Sequence, residues 1–547
     1  MTSRSVRHLV RRLAAALLAA APAVPAAAAP AAPKLVIAVS VDQLSADLFA
    51  EYRQRFTGGM KRLEGGVVFP SGFQSHGATE TCPGHSTLLT GARPARTGII
   101  ANNWFDLGFS RTGTVYCAED EKDPRRTADR HVVSPAHLRV PTLGDRLKAA
   151  NPANRVVSVA GKDRAAVMMG GHATDQIWYF EGKAYATLLD RQGAPVPPVV
   201  ARVNARIAGE IARGGTTPLP AACADRALAL SVGARTLGTL APVAPGSSDG
   251  WKTTPGFDAA TADLAIGLID EMKLGRGAGI DLLTVGLSAT DYVGHGFGTE
   301  GAEMCTQMAA LDAAMARILA AADRSGVPYL VVLSADHGGN DAVERQAARA
   351  MPGAGRVDPA LLPGNLNRAL KARLGIAQDI LYGDGAMGDI YLNPDLSPTE
   401  RVRATAALKG LWLSHPQVQA VFDSAELDRA RPSGLPIDLW PLGERLAANH
   451  DGARSGDFYV VLKPQVIQIV APPKGAVSGH GSVWNYDRRV PILFWAPGLA
   501  GFEQPMPVET VDIMPTLAAR IGLPVPAAEI DGRCLDLDRG AEDACPR

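Results

Sequence analysis

Short, continuously apolar segments recur along this chain and alternate with segments whose apolar residues have helical spacing. The apolar segments are residues 34–40, 66–73, 155–160, 280–287, 329–334 and 490–495. Uninterrupted apolar runs of this length are typical of strands buried on both faces. Helical spacing is clearest at residues 48–63, 302–322 and 511–521. The alternation predicts an α/β fold with a central, mainly parallel sheet and helices on both faces.

Three acidic residues follow the ends of predicted strands. Asp42 lies just past the first strand, Asp291 follows the strand at 280–287, and Asp336 follows the strand at 329–334. Open α/β sheets bind ligands at the carboxyl ends of their strands. We therefore expect these three carboxylates to converge at one edge of the sheet.

Three histidines accompany these acids. His295 lies four residues after Asp291, a spacing that puts both side chains on one face of a helix. His337 directly follows Asp336, and His480 stands between glycines in S-G-H-G-S. Taken singly, such residues are more often solvated loop histidines. Together, Asp and His side chains form a ligand set that zinc accepts.

Thr81 is a candidate nucleophile in the segment T-C-P-G-H. It stands before a helix that we expect to begin just beyond Pro83. The ordinary role of a threonine at this place is a helix N-cap. A helix N-terminus also stabilises an alkoxide or a phosphoryl group beside it.

The length and charge of the chain limit its organisation and its partners. Its 547 residues can bury a large core, and 46% of them are hydrophobic. Lys+Arg and Asp+Glu number 55 each, so no net charge indicates a nucleic-acid or membrane partner. Two long segments, 165–279 and 341–457, interrupt the alternation of strands and helices. We expect them to be insertions that cap the sheet edge within one catalytic domain spanning residues 33–547.

The N-terminal segment and the cysteines indicate the cellular compartment of the protein. Residues 1–32 contain a basic start, an apolar run at 13–18 and an Ala/Pro-rich end, which together predict a cleaved signal peptide. We expect a soluble exported protein, periplasmic or secreted, and the six cysteines suit an oxidising compartment. Cys534 and Cys545 are the only close pair and are expected to bond, whereas Cys82 and Cys305 are expected to be free thiols.

The order of these motifs resembles the alkaline phosphatase superfamily, from V-S-V-D ending at Asp42 to V-E-T-V-D-I-M-P-T-L-A at 508–518. The segments T-E-T-C-P-G-H-S-T-L-L-T-G and T-G-I-I-A-N-N-W-F-D are similar to the branch with a threonine nucleophile. The resemblance implies that Thr81 is the nucleophile and that Asn102 hydrogen-bonds a phosphoryl oxygen. It also implies two Zn²⁺ ions. One would be held by Asp291, His295 and His480, and the other by Asp42, Asp336, His337 and the Thr81 oxygen.

The segment G-K-D-R at 161–164 is similar to the Lys/Arg pair of PafA-type bacterial alkaline phosphatases. A phosphate monoester dianion has one more charged oxygen than a diester, and Lys162 and Arg164 are suited to bind it. Sulfatases of the same superfamily use C-x-P-x-R. Here Cys82 directly precedes Pro83 and His85 replaces the arginine, which disfavours sulfatase chemistry. No role is assigned to His85 or to His76.

The sequence therefore predicts a secreted, zinc-dependent alkaline phosphatase that hydrolyses small-molecule phosphate monoesters through a phosphothreonine intermediate. One alternative is a phosphodiesterase or nucleotide pyrophosphatase of the same superfamily. The other is a non-catalytic, zinc-stabilised phosphate-binding protein. Neither a nucleic-acid partner nor a membrane is expected.

Overall fold

The computed structural model describes residues 32–107, 114–125, 127, 131–189, 196–349, 351–471, 475–540 and 545. Its strands are β1 (Leu35–Val41), β2 (Val67–Phe73), β3 (Asn103–Phe105), β4 (Thr114–Tyr116), β5 (Val156–Ala160), β6 (Gln176–Glu181), β7 (Ala184–Ala186), β8 (Leu230–Val232), β9 (Arg235–Leu237), β10 (Asp281–Leu287), β11 (Tyr329–Ser334), β12 (Gly355–Arg356), β13 (Leu381–Gly383), β14 (Gly388–Leu392), β15 (Val418–Asp423), β16 (Phe458–Leu462), β17 (Val466–Ile467), β18 (Arg489–Trp495), β19 (Phe502–Glu503) and β20 (Val508–Glu509).

The α-helices are α1 (Ala46–Tyr52), α2 (Gly59–Leu63), α3 (Thr81–Leu88), α4 (Pro94–Thr97), α5 (Leu143–Ala150), α6 (Asp163–Gly170), α7 (Pro198–Arg213), α8 (Ser248–Lys252), α9 (Pro255–Met272), α10 (Ala289–Phe297), α11 (Ala302–Ser325), α12 (Val343–Ala348), α13 (Pro363–Leu374), α14 (Pro398–Ser414), α15 (Ser424–Asp428), α16 (Leu442–Ala447), α17 (Asn485–Arg488) and α18 (Ile513–Arg520). None of these helices is both long and apolar enough to cross a lipid bilayer.

The main sheet has the strand order β19-β2-β18-β11-β1-β10-β5-β6-β7, and β20 also pairs with β2. Its centre is parallel: β1 pairs in parallel with both β10 and β11, and β5 pairs in parallel with β10 and β6. The predicted α/β fold with a mainly parallel sheet is thus confirmed. β18 runs antiparallel to β11 and β2. An apolar run carries no direction in its sequence, so this reversal was not predictable.

Alternate side chains of each central strand point to opposite faces of the sheet. Helices pack against the apolar side chains on both faces. Leu35, Ile37 and Val39 of β1 belong to a core shared with α9 and α11. Val36 and Ala38 belong to a second core shared with α5 and α18. Every residue of β1 is therefore buried, as its uninterrupted apolar sequence predicts.

The two long segments differ in their relation to this sheet. Residues 165–279 contribute β6 and β7 to one end of the main sheet, and apolar residues of α7 and α9 belong to its core. Residues 341–457 contain β13, β14 and β15, which form a separate antiparallel sheet with β16 in the order β13-β14-β16-β15. That sheet has its own core with α13 and α14.

Three disulfides join cysteines of the described residues: Cys82–Cys117, Cys223–Cys305 and Cys534–Cys545. The predicted Cys534–Cys545 pair is confirmed. The expectation that Cys82 and Cys305 are free is wrong. Their partners lie 35 and 82 residues away in sequence and are brought close only by folding.

Candidate metal centre and nucleophile

Four neighbouring parallel strands deliver charged side chains to one edge of the sheet. Asp42 directly follows β1, Asp336 follows β11, and Asp291 lies in the first turn of α10, which follows β10. Lys162 follows β5. Since parallel strands end at the same edge, the four groups meet there, as expected for the three carboxylates.

The outer cluster consists of Asp291, His295 and His480. The Nε2 atoms of both histidines lie 3.4 Å from Oδ1 of Asp291 and 3.2 Å from each other. The Nδ1 atom of His295 lies 3.0 Å from the Ser478 carbonyl oxygen, and that of His480 lies 2.8 Å from the Thr79 carbonyl oxygen. A carbonyl can only accept, so each Nδ1 donates a proton and each Nε2 presents a lone pair to the cluster.

The inner cluster consists of Asp42, Asp336, His337 and His85, all of them fully buried. The Nε2 atom of His337 lies 3.2 Å from Oδ2 of Asp336. His85 lies between the two acids, with Nε2 3.4 Å from Asp42 Oδ1 and Nδ1 3.3 Å from Asp336 Oδ2. The other oxygen of Asp336 accepts from the backbone N–H groups of Gln43 and His337, which fixes the carboxylate.

The donor atoms of both clusters suit cations. Both oxygens of Asp42, Oδ1 of Asp291, Oδ2 of Asp336 and Nε2 of His337 are buried and have no hydrogen-bond partner among the described residues. Unpaired buried carboxylate oxygens are costly, and bound metal ions remove that cost. Geometry alone groups Asp291, His295 and His480 in one candidate metal site and Asp42, His85 and Asp336 in another. Carboxylates with imidazoles are donors that Zn²⁺ accepts.

Lys162 lies between the two clusters. Its Nζ atom is 2.6 Å from Asp291 Oδ2 and 3.1 Å from Asp42 Oδ2, and the side chain is almost completely buried. Burial disfavours the Asp291 carboxylate, but Lys162 and His295 hold its pKa well below the usual value. The Lys162 ammonium thus offsets part of the negative charge of Asp291 and Asp42. The predicted contact of Lys162 with phosphate would use this same ammonium group, and it stays a prediction.

His480 of the outer cluster and His85 of the inner cluster differ in protonation. Burial and the neighbouring His337 lower the pKa of His480 to about 4, so its imidazole is neutral near neutral pH. Burial also disfavours the charged form of His85, but Asp336 and Asp42 raise its pKa to about 10. A neutral imidazole can donate its lone pair to a metal, whereas a protonated one contributes charge.

Thr81 is the first residue of α3, and Glu80 is the N-cap. The expectation that the helix begins beyond Pro83 is therefore wrong. Proline is tolerated in the first turn because N–H groups there have no intrahelical partner. Gly84 brings the helix against the strand end, since a Cβ at this position would lie 2.0 Å from the Asp336 carbonyl oxygen.

Arg164 and Asn102 reach the Thr81 end of this helix. The Nη2 atom of Arg164 lies 3.4 Å from Thr81 Oγ1, and its buried Nε has no hydrogen-bond partner among the described residues. Asn102 Oδ1 accepts from the backbone N–H of Cys82 at 2.8 Å. This bond leaves the side-chain amide nitrogen of Asn102 as the group that can donate.

The structure thus brings together all ten residues that the sequence singled out: Asp42, Thr81, Asn102, Lys162, Arg164, Asp291, His295, Asp336, His337 and His480. It adds His85, which the sequence left without a role. His85 lies four residues after Thr81, one turn along α3, so a helix beginning at Thr81 would have pointed to it. His76 is completely buried, and burial together with Arg488 and His337 lowers its pKa to about 3.

Comparison with known proteins defines the class. A family model described as type I phosphodiesterase / nucleotide pyrophosphatase matches residues 36–469. The chain belongs to this family. It is 52% identical over 520 residues to alkaline phosphatase PhoD of Zymomonas mobilis subsp. mobilis, covering 94% of this chain and 89% of that protein. It is 50% identical over 522 residues to alkaline phosphatase PhoK of a Sphingomonas species, covering 94% of this chain and 92% of that protein.

A solved structure agrees with this placement. The crystal structure of alkaline phosphatase PafA matches with a TM-score of 0.79 at 25% identity, covering 92% of this chain and 98% of that one. The resemblance predicted from the sequence motifs is confirmed. The relatives also support the expectation of an enzyme of the alkaline phosphatase type.

Proposed function

We propose that this protein is an exported alkaline phosphatase that hydrolyses phosphate monoesters with two Zn²⁺ ions and a covalent phosphothreonine intermediate on Thr81. The observation that carries the proposal is the position of Thr81 Oγ1. It lies at the N-terminus of α3, within reach of the Arg164 guanidinium and next to two clusters in which buried carboxylate oxygens lack a hydrogen-bond partner among the described residues.

The residues of the two clusters have the composition of a two-metal phosphoryl-transfer site. Asp291, His295 and His480 would hold one zinc ion, and Asp42, Asp336 and His337 the other, together with the Thr81 oxygen. Zinc ions bound there would act as Lewis acids toward oxygen atoms that gain charge during the reaction. His85 lies close to the carboxylates of Asp42 and Asp336 and would help to orient both of them.

In the proposed reaction, the Thr81 oxygen attacks phosphorus and the ester P–O bond on the opposite side breaks. The Thr81 hydroxyl loses its proton and the leaving ester oxygen takes one up, so the alcohol part of the substrate departs and the phosphoryl group remains on Thr81. Arg164 and the side-chain amide nitrogen of Asn102 bind the other phosphoryl oxygens. Water then breaks the phosphothreonine bond and releases inorganic phosphate.

Monoester selectivity is assigned to Arg164 and Lys162. Arg164 directs a guanidinium with an unpaired Nε at the Thr81 oxygen, and a planar fork matches two oxygens of a phosphate. Lys162 adds a second buried positive charge between the clusters. A dianionic monoester gains more from these two cations than a monoanionic diester does.

The family description favours a second candidate, a phosphodiesterase or nucleotide pyrophosphatase. The two functions differ in the ratio of kcat/KM for p-nitrophenyl phosphate to that for bis-p-nitrophenyl phosphate. On the zinc-loaded protein we expect the monoester to be preferred. A preference for the diester would support the second candidate. Absence of any turnover with zinc bound would instead indicate a non-catalytic phosphate-binding protein.

Thr81 itself is tested by substitution and by mass spectrometry. Thr81→Ala should lower kcat for the monoester by about 10⁴-fold, because a nucleophile acts as one unit with the groups around it. Thr81→Ser keeps a hydroxyl and serves as the matched control with partial activity. Acid quenching of the wild-type reaction should trap one phosphate on the peptide that contains Thr81. Full activity of Thr81→Ala would contradict the role.

Residues 1–32 are proposed to be a cleaved signal peptide; residues 1–31 lie outside the described part of the structure. The three disulfides support export, since disulfides persist in oxidising compartments. The remainder, 33–547, is proposed to be one catalytic domain in which residues 165–279 and 341–457 are insertions.

A further inference from the structure

Tyr116, which the sequence did not single out, contacts the start of the helix that contains Arg164. The Tyr116 hydroxyl donates to Asp163 Oδ1 at 2.7 Å. The same oxygen accepts from the backbone N–H of Arg164, also at 2.7 Å. Asp163 is the first residue of α6, and Arg164 is the second. A carboxylate in this first turn is stabilised by the helix N-terminus, so its position is well defined.

The Arg164 guanidinium is partly buried, which alone would lower its pKa, but Tyr116 and Asp163 hold the pKa above the usual value. The arginine is therefore charged at every pH at which the protein would work. Its neighbours determine where that charge lies.

Tyr116 is fixed from several sides. Its ring stacks on His131, with centroids 5.1 Å apart. It pairs with Asn103 in the β3–β4 hairpin, and its backbone N–H donates to Glu119. The next residue, Cys117, forms a disulfide with Cys82, which directly follows Thr81. Cys117 also donates its backbone N–H to the Asn102 carbonyl oxygen at 2.9 Å. One hairpin thus links Thr81, Asn102 and the Asp163–Arg164 turn.

We propose that Tyr116 is a positioning residue that sets the Arg164 guanidinium against the phosphoryl group, acting through Asp163. This inference rests on the proposed function, because it assigns to Arg164 the binding of a phosphate monoester. Tyr116 itself is not proposed to touch the substrate.

Tyr116→Phe removes only the hydroxyl and keeps the ring on His131. We expect kcat/KM for p-nitrophenyl phosphate to fall about tenfold, the effect of one hydrogen bond to a charged group. For bis-p-nitrophenyl phosphate the loss should stay below about twofold, since a diester depends less on Arg164. The inhibition constant of inorganic phosphate should rise with the monoester loss.

Tyr329→Phe is the matched control. Its hydroxyl donates to Asp323 Oδ1 at 2.6 Å, and Tyr329 begins β11 at the end remote from the clusters. Both variants should show similar small changes in Tm, but Tyr329→Phe should leave both esterase activities and the phosphate inhibition constant unchanged. Asp163→Asn keeps an acceptor oxygen while removing the charge. We expect it to reproduce the selective monoester loss.

The deciding measurement is a double-mutant cycle with Arg164→Ala. If Tyr116 acts through Arg164, Tyr116→Phe should change the monoester kcat/KM by less than about twofold in the Arg164→Ala background. Additive losses in the double mutant, or equal losses on both esters, would overturn the inference. An Arg164→Ala variant that loses both activities equally would contradict the monoester clamp instead. In that case the cycle measured on phosphate inhibition still decides whether Tyr116 and Arg164 are coupled.

Discussion

The two clusters beside Thr81 use similar residues in different surroundings. The outer cluster has one carboxylate and two imidazoles, and the His295 side chain is 34% exposed. The inner cluster has two carboxylates, and all four of its side chains are fully buried. Each outer imidazole is oriented by a carbonyl, whereas in the inner cluster backbone N–H groups orient Asp336 and His85 lies close to both carboxylates. The inner cluster therefore has one more carboxylate and, being fully buried, no access to solvent that could replace a missing ligand.

This difference predicts that the clusters respond unequally to the loss of one ligand. Water can enter the outer cluster beside His295 and occupy a vacated ligand position. Within the inner cluster, a lost carboxylate leaves a buried site with insufficient negative charge for a divalent ion. Substitution of single ligands in each cluster tests this inequality.

Asp42→Asn should have the largest effect. The substitution keeps the shape of the side chain but removes a charge from a position where both oxygens are buried. We expect kcat for the monoester to fall by about 10³-fold, comparable to the loss of a group that stabilises transition-state charge. Added zinc should not restore the activity. Recovery of wild-type kcat at high zinc would show that the inner cluster tolerates a neutral ligand. The two clusters would then not differ in their response to the loss of a ligand.

His295→Ala should have a smaller and reversible effect. Asp291 and His480 remain, and the partial exposure of this position admits water. We expect an apparent zinc affinity lower by about 10- to 100-fold, with much of the activity returning as zinc is raised. The measurement is activity against free zinc concentration. His172→Ala is a remote control, because His172 pairs with Asp145 and the Leu138 carbonyl away from both clusters. An irreversible loss in His295→Ala would make the two clusters equivalent.

The meeting of three acidic residues at the sheet edge was predictable from the sequence because it follows from a geometric rule. Asp42, Asp291 and Asp336 each follow a strand, and parallel strands end together, so their convergence needed no knowledge of distances. The pairing of Cys82 with Cys117 was missed for the opposite reason. It depends on how the β3–β4 hairpin folds back on α3, and neither the spacing nor the local context of these cysteines contains that information.

Two residues near Thr81 show a second limit of sequence reasoning. His85 was left without a role because the helix was expected to begin beyond Pro83, which hid its one-turn spacing from Thr81. Tyr116 had no signal in the sequence at all. It reaches Asp163 across 47 residues, and only the hairpin and the main sheet together bring the two side chains into contact.

The zinc content of purified protein tests the central claim most directly. We predict two zinc ions per chain in the wild type and in Thr81→Ala, because the nucleophile adds only one oxygen to ligand sets that are otherwise complete. After dialysis at low free zinc, Asp42→Asn and His295→Ala should each retain about one ion per chain, held by the intact cluster. Fewer than two ions in fully loaded wild-type protein, or loss of both ions in either single variant, would contradict two separate metal sites beside Thr81.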